Sequence, residues 1–119
     1  MCTSPWNIRD FSEHMRRVEK HMRESVIVRA IMRYLKSLPD CFCWKEHGGM
    51  YGTAGIPDII ACIGGKFYGF EVKNERGKAS ALQEFTIRKI KAAGGTALVV
   101  RSVDEVRAVV EGRQSSGCV

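Results

Sequence analysis

Long apolar runs are missing from this 119-residue chain. Nothing in it approaches the roughly 18–20 consecutive apolar residues of a helical membrane span. The opening segment, MCTSPWNIRD, holds no apolar stretch of the secretory kind, so a cytoplasmic protein with no membrane partner is expected. Paired cysteines are missing too. Cys2, Cys41, Cys43, Cys62 and Cys118 are odd in number and show no C-x-x-C spacing, which fits a reducing compartment and argues against structural zinc. The glycine-rich stretch GGMYGTAG, residues 48–55, lacks the Gly-Lys-Ser/Thr ending of a nucleotide-binding loop. No internal repeat or low-complexity segment is visible. No serine or cysteine is set beside a positioned base, so covalent catalysis is not expected.

What is present is one domain's worth of ordinary globular sequence, 45% hydrophobic and 27% charged. Nineteen Lys and Arg against 13 Asp and Glu give a net charge of +6, which favours a polyanionic partner, nucleic acid first.

Residues 6–23 are polar with scattered apolar positions, in part helical by pattern. His14 and His21 lie a heptad apart there, which is not the i, i+4 spacing of helical metal ligands. From about Glu19 to Leu38 a helix is clearer. Ile27, Val28, Ile31, Leu35 and Leu38 share one face, and Pro39 marks the end. Stepping that stripe back one turn reaches Glu24. A carboxylate there either points toward the core or frays outward in the first turn, where it suits the helix dipole. The alternation of CFCWKEH, residues 41–47, predicts a strand, and the glycines of residues 48–55 a loop. Two strands follow, Ile56–Ile63 and Lys66–Lys73, separated by Gly64-Gly65, the signal of a tight hairpin. KASALQEFTIRKIKAAGG reads as a helix with Ser80 and Gln83 in capping-box spacing, TALVVR as a buried strand, and SVDEVRAVVEG as a last helix. The resulting order, α-β-β-β-α-β-α, predicts an α/β fold with a mixed sheet flanked by helices. Residues 1–18 are expected to be an N-terminal arm or helix, 19–111 the domain, and 112–119 a disordered tail.

The hairpin carries the chemistry. If Gly64 and Gly65 are the two loop residues, Ile63 pairs with Lys66, and stepping back along both strands brings Asp58 opposite Glu71. Their Cβ atoms would then lie about 4.5–5.5 Å apart on one face, with Lys73 on the same face. Two like charges so placed are destabilising. A hard divalent cation bound by carboxylates, a backbone carbonyl and water relieves them, and Lys73 beside it can hold an attacking water. Gly55 and Gly69 would leave room for a bulky substrate. The bland alternative makes Asp58 a turn cap after Pro57 and Glu71–Lys73 an exposed pair on an edge strand. Pro-Asp followed by Glu-Val-Lys in cross-strand register is more specific than either half alone.

These residues resemble a known family. GIPDII and FEVK resemble the core of the PD-(D/E)XK nucleases, whose fold is restriction-endonuclease-like. ESVIVRAIMRYL, the HGGMYGTAG loop, NERGKASALQEF and VVRSVDEV extend the resemblance to the VRR-NUC branch over residues 23–107. The resemblance implies that Asp58 and Glu71, with the carbonyl of Val72, bind Mg²⁺ or Mn²⁺ and that Lys73 is the catalytic lysine. It further implies that Gln83 sits by the site and that Glu24 contributes to the metal site. Gly48, Gly49 and Tyr51 of the glycine loop, together with Arg76, Lys78, Arg88, Lys89 and Lys91, become candidates for DNA phosphate contacts; each alone is more often a solvated group. Small stand-alone members resemble the Holliday-junction resolvases of archaea, which act as homodimers. The expected activity is therefore metal-dependent endonucleolytic cleavage of branched DNA, four-way junctions first, in recombination or repair. Flap or duplex cleavage, or binding of branched DNA without cutting, are the alternatives. Small size also fits a phage or mobile-element protein, which the sequence itself does not show.

Overall fold

The computed structural model describes residues 23–46 and 54–116. Within them the chain runs α1 (Glu24–Lys36), β1 (Cys41–Lys45), β2 (Ile59–Ile63), β3 (Lys66–Val72), α2 (Ala81–Ala92), β4 (Thr96–Val100) and α3 (Val103–Ser116). The expected order of elements is found. The sheet order is β1-β2-β3-β4, with β1, β2 and β3 antiparallel in turn and β4 parallel to β3. A parallel partner requires a crossover, and α2 supplies it.

The hairpin register is the one the two glycines specify. Gly64 and Gly65 both have positive φ, 56° and 81°, the backbone of a two-residue hairpin loop that matches strand twist. Ile63 accordingly pairs with Lys66 and Ile59 with Phe70. Alternation then separates two faces. Ile59, Ala61, Ile63, Tyr68, Phe70 and Val72 meet Ile27, Val28, Ile31 and Leu35 of α1 and Val106 and Val110 of α3 in the main core. The opposite face carries Ile60, Gly69, Glu71 and Ala97, and α2 lies across its β3–β4 half.

Local signals set the helix starts. Ser80 Oγ accepts from Gln83 N (3.1 Å) while Gln83 Oε1 accepts from Ser80 N (2.8 Å), a complete capping box. At α3 Ser102 Oγ accepts from Glu105 N (3.2 Å), but the Glu105 carboxylate turns to the N–H of Arg101 (2.6 Å). The box is shifted by one residue.

Several boundaries differ from the sequence pattern. β2 starts at Ile59 rather than Ile56, because Pro57 has no N–H to give a ladder; β3 ends at Val72, one residue short of Lys73. The β1 ladder ends at Lys45, although Glu46 N still donates to Asp58 O (2.7 Å). α1 begins at Glu24 and ends at Lys36 rather than Leu38, residues 19–22 of the expected helix lying outside the described residues, and α3 continues through Ser116, so residues 112–116 are helical rather than part of a tail. The expected arm over 1–18, His14, His21, Gly48, Gly49 and Tyr51 lie outside the described residues.

The two glycines read as making room for substrate are instead sites of close packing. A Cβ on Gly69 would stand 3.0 Å from Pro57 Cγ and 3.5 Å from Ile90 Cδ1. One on Gly55, where φ is +85°, would meet Leu82 Cγ at 2.8 Å. Pro57 and α2 fill the space. Gly69→Ala should therefore lower stability by about 1–3 kcal/mol through overpacking, read as a lower denaturation midpoint with unchanged helical circular dichroism.

Candidate active site

Three elements and one loop converge at the end of β3. Asp58 stands one residue before β2, where the ladder has stopped. Its side chain folds across so that Oδ2 accepts from the N–H of Val72 (2.8 Å). One carboxylate oxygen is thereby tied to the end of β3, between Glu71 and Lys73. Asp58 lies beside Glu71, as the register implied, but it is the Asp58 side chain bonded to Val72 N, rather than a backbone rung, that ties this segment to β3.

Glu71 is 1% exposed and is the buried charged residue among the described positions. Its Oε1 accepts from Gln83 Nε2 (2.7 Å) and lies 3.5 Å from Lys73 Nζ. Its Oε2 is buried with no hydrogen-bond partner among the described residues. Burial and the neighbouring Asp58 carboxylate push the Glu71 carboxyl up from its usual 4.5 to about 7, while the Lys73 ammonium acts in the opposite sense. Burying an acid this way is costly unless something completes its coordination.

Gln83 holds the buried acid with one end and its helix with the other. The capping box uses Oε1, leaving Nε2 to donate to Glu71. Gln83→Ala should cost about 1–3 kcal/mol in denaturant unfolding. The loss should be greater at pH 8, where Glu71 is ionised, than at pH 5, where it is protonated.

Glu24 arrives from the first turn of α1. A Cβ on Gly77 would lie 3.1 Å from Glu24 Oε1 and 3.2 Å from Lys73 Cδ, so Glu24 and the lysine stem flank the same glycine. Among the described residues no three His, Cys, Asp or Glu side chains form one metal-holding group. Glu24 thus reaches the centre on its Lys73 side.

Two contributors were not singled out from the sequence. Asn74 Oδ1 accepts from Arg76 N (3.1 Å) and Gly77 N (2.9 Å), folding the segment after Lys73 into a tight turn. Arg101 clamps that turn through Nη1, which donates to Asn74 O and to Gly77 O (2.9 Å). An Asn three residues before a Gly is a recognisable turn signal. Arg101 is visible only through the β3–β4 register, where Val72 pairs with Val100 and the next residues are Lys73 and Arg101.

The basic candidates divide into two groups. Arg76 and Lys78 are exposed on the turn that follows Lys73. Arg88, Lys89 and Lys91 are exposed on α2, about 7–12 Å further along the helix than Gln83 at 1.5 Å per residue. Lys89 Nζ also sits 5.5 Å from the centre of the Phe85 ring.

A solved structure described as a VRR_NUC domain matches this chain with a TM-score of 0.61 at 22% identity, covering 74% of this chain and 94% of that one. The fold is that of a VRR_NUC domain. No family model and no curated protein matches the sequence. On the VRR_NUC fold of this chain, the donor set at the end of β3 fits a hard divalent cation. Two carboxylates repel each other, one buried oxygen has no hydrogen-bond partner among the described residues, and the main-chain carbonyl of Val72 follows Glu71 in the chain. Magnesium is commonly held by one or two carboxylates with water and phosphate completing the shell. Among the described residues no helix of this VRR_NUC fold is long and apolar enough to cross a membrane.

Proposed function

We propose that this chain is a metal-dependent endodeoxyribonuclease that hydrolyses phosphodiesters in branched DNA, four-way junctions first. The observation that carries the reading is the Glu71 carboxylate, buried beside Asp58 with Lys73 Nζ at 3.5 Å from one oxygen and, among the described residues, no hydrogen-bond partner on the other. Without a cation the pair is eased only by a proton kept on Glu71, and a divalent ion between the two carboxylates would relieve the same repulsion.

Asp58, Glu71 and the Val72 carbonyl would hold Mg²⁺ or Mn²⁺, with Glu24 contributing from the α1 side. Such an ion, when bound, would polarise a phosphoryl oxygen and lower the pKa of its water. Lys73 holds the attacking water or the negative charge that gathers on the phosphoryl oxygens. Gln83 fixes the Glu71 rotamer. Arg101 and Asn74 fix the turn that presents Arg76 and Lys78 to the DNA backbone. Arg88, Lys89 and Lys91, with Gly48, Gly49 and Tyr51, would extend the phosphate contacts and make affinity salt-dependent. Symmetric cutting of a four-way junction needs two centres related by a two-fold axis, so a homodimer acting in the cytoplasm during recombination or repair is the assembly proposed.

Labelled four-way junction, flap and linear duplex DNA, each incubated with Mg²⁺, Mn²⁺ or EDTA, test this directly. Paired symmetric nicks confined to the junction and lost in EDTA are expected. Equal cutting of flap or duplex would retain the nuclease and remove the junction preference. Tight binding with no metal-dependent cutting would reduce the chain to a DNA-binding module.

A further inference from the structure

The sheet face that carries Asp58 and Glu71 does not end with them. Across the strands, Trp44 pairs with Ile60 and Ile60 with Gly69, one row from the acids. Phe42, Cys62 and Phe67 form the next row in the same way. Alternation puts both rows on the Glu71 face. α2 lies across the β3–β4 half of this face; on the β1–β2 half Ile60 is buried, while Phe42, Trp44 and Cys62 are solvent-accessible. Phe42 is 71% exposed, and Trp44 and Phe67 are each 43% exposed. The Phe42 and Trp44 ring centres are 5.8 Å apart. Adjoining exposed aromatic rings form the kind of apolar patch that marks an interaction site.

We infer that Phe42 and Trp44, with Phe67 two strands away beside Gly95, form a stacking surface for unpaired nucleotides that adjoin the scissile phosphodiester. Four observations favour this occupant. The platform is continuous with the acid row: at about 3.3 Å per residue the Trp44 row lies roughly 7 Å from it and the Phe42 row roughly 13 Å. Trp44 is tied toward that row, its Nε1–H donating to Glu46 Oε2 (2.9 Å), while Glu46 N bonds Asp58 O. The side chains of both rows are uncharged, which suits the flat, neutral faces of bases rather than phosphates. Finally, the chain's net charge of +6 draws in a polyanion, and Lys66 stands exposed at the turn beside Phe67. A closed duplex hides its base faces, so this surface serves unpaired bases.

The position of the cut rests on the nuclease reading, but the platform is tested by binding alone. Affinities for a splayed-arm DNA and for a fully paired duplex of the same length are measured in EDTA for the natural chain and for Phe42→Ala, Phe42→Leu and Phe42→Trp. Phe42 is exposed enough that these changes leave the fold intact. Alanine and leucine should weaken splayed-arm binding about ten-fold, tryptophan should restore it, and duplex binding should stay within two-fold. Equal losses on both DNAs, or none on either, would overturn the inference. So would a natural chain that sediments as a dimer and a Phe42→Ala chain that sediments as a monomer, because the face would then be a contact between copies. The splayed-arm effect without metal-dependent cutting would uphold the platform and remove the nuclease reading on its own.

Discussion

Lys73→Met is expected to slow phosphodiester cleavage by about two to three orders of magnitude under single-turnover conditions, the usual consequence of removing one positioned charge from a transition state. Methionine retains most of the aliphatic stem that packs by Gly77, so the denaturation midpoint should stay near that of the natural chain. The ammonium also acts on Glu71, whose carboxyl it holds below the level that burial and Asp58 would set. Its loss should therefore move the acid limb of the pH–rate profile to higher pH as well as lower the plateau. A midpoint unchanged with a rate reduced less than three-fold would mean that Lys73 is a structural partner of Glu71 and nothing more.

The second expectation concerns stability in the absence of metal. Glu71 titrates near 4.5 in an unfolded chain and near 7 in the fold. Between those values the folded protein keeps a proton that the unfolded chain has released, so stability falls as pH rises through that window. The whole effect is about 3 kcal/mol at 1.36 kcal/mol per pKa unit. Thermal midpoints in EDTA should therefore drop between pH 5 and pH 8. Glu71→Gln, neutral throughout, should be flatter over the same range. Saturating Mg²⁺ should raise the midpoint more at pH 8 than at pH 5, because only the ionised acid is an effective ligand. Parallel pH curves for the natural chain and Glu71→Gln would show that Glu71 is ionised in the fold at all these pH values.

The features readable from sequence were those set by neighbours along the chain. Gly64-Gly65 fixed the hairpin, and with it the pairing that brings Asp58 toward Glu71. Ser80 and Gln83 marked the start of α2, and the 27-28-31-35 stripe marked the buried face of α1. What escaped depends on contacts made from far away. Gly69 and Gly55 looked like space because Pro57, Leu82 and Ile90 reach them only after β3 and α2 have folded together. Asp58 looked like a ladder residue, yet the buried Pro57 ends the strand and the carboxylate makes the next bond itself. Arg101 becomes a clamp on the Lys73–Gly77 turn only because β4 runs parallel to β3, a register set by the crossover through α2. Gln83 was legible as a cap, whereas its donation to Glu71 follows from α2 lying on that face.

The most direct measurement is of the cation itself. Mn²⁺ binding, followed by the loss of the free-ion electron paramagnetic resonance signal, should be saturable at pH 8 in the natural chain. It should fall at least ten-fold in Asp58→Asn and in Glu71→Gln, while Phe42→Ala binds as the natural chain does. Binding unchanged in either acid variant, or no saturable binding in any of them, would contradict the assignment of Asp58 and Glu71 as a metal-holding pair.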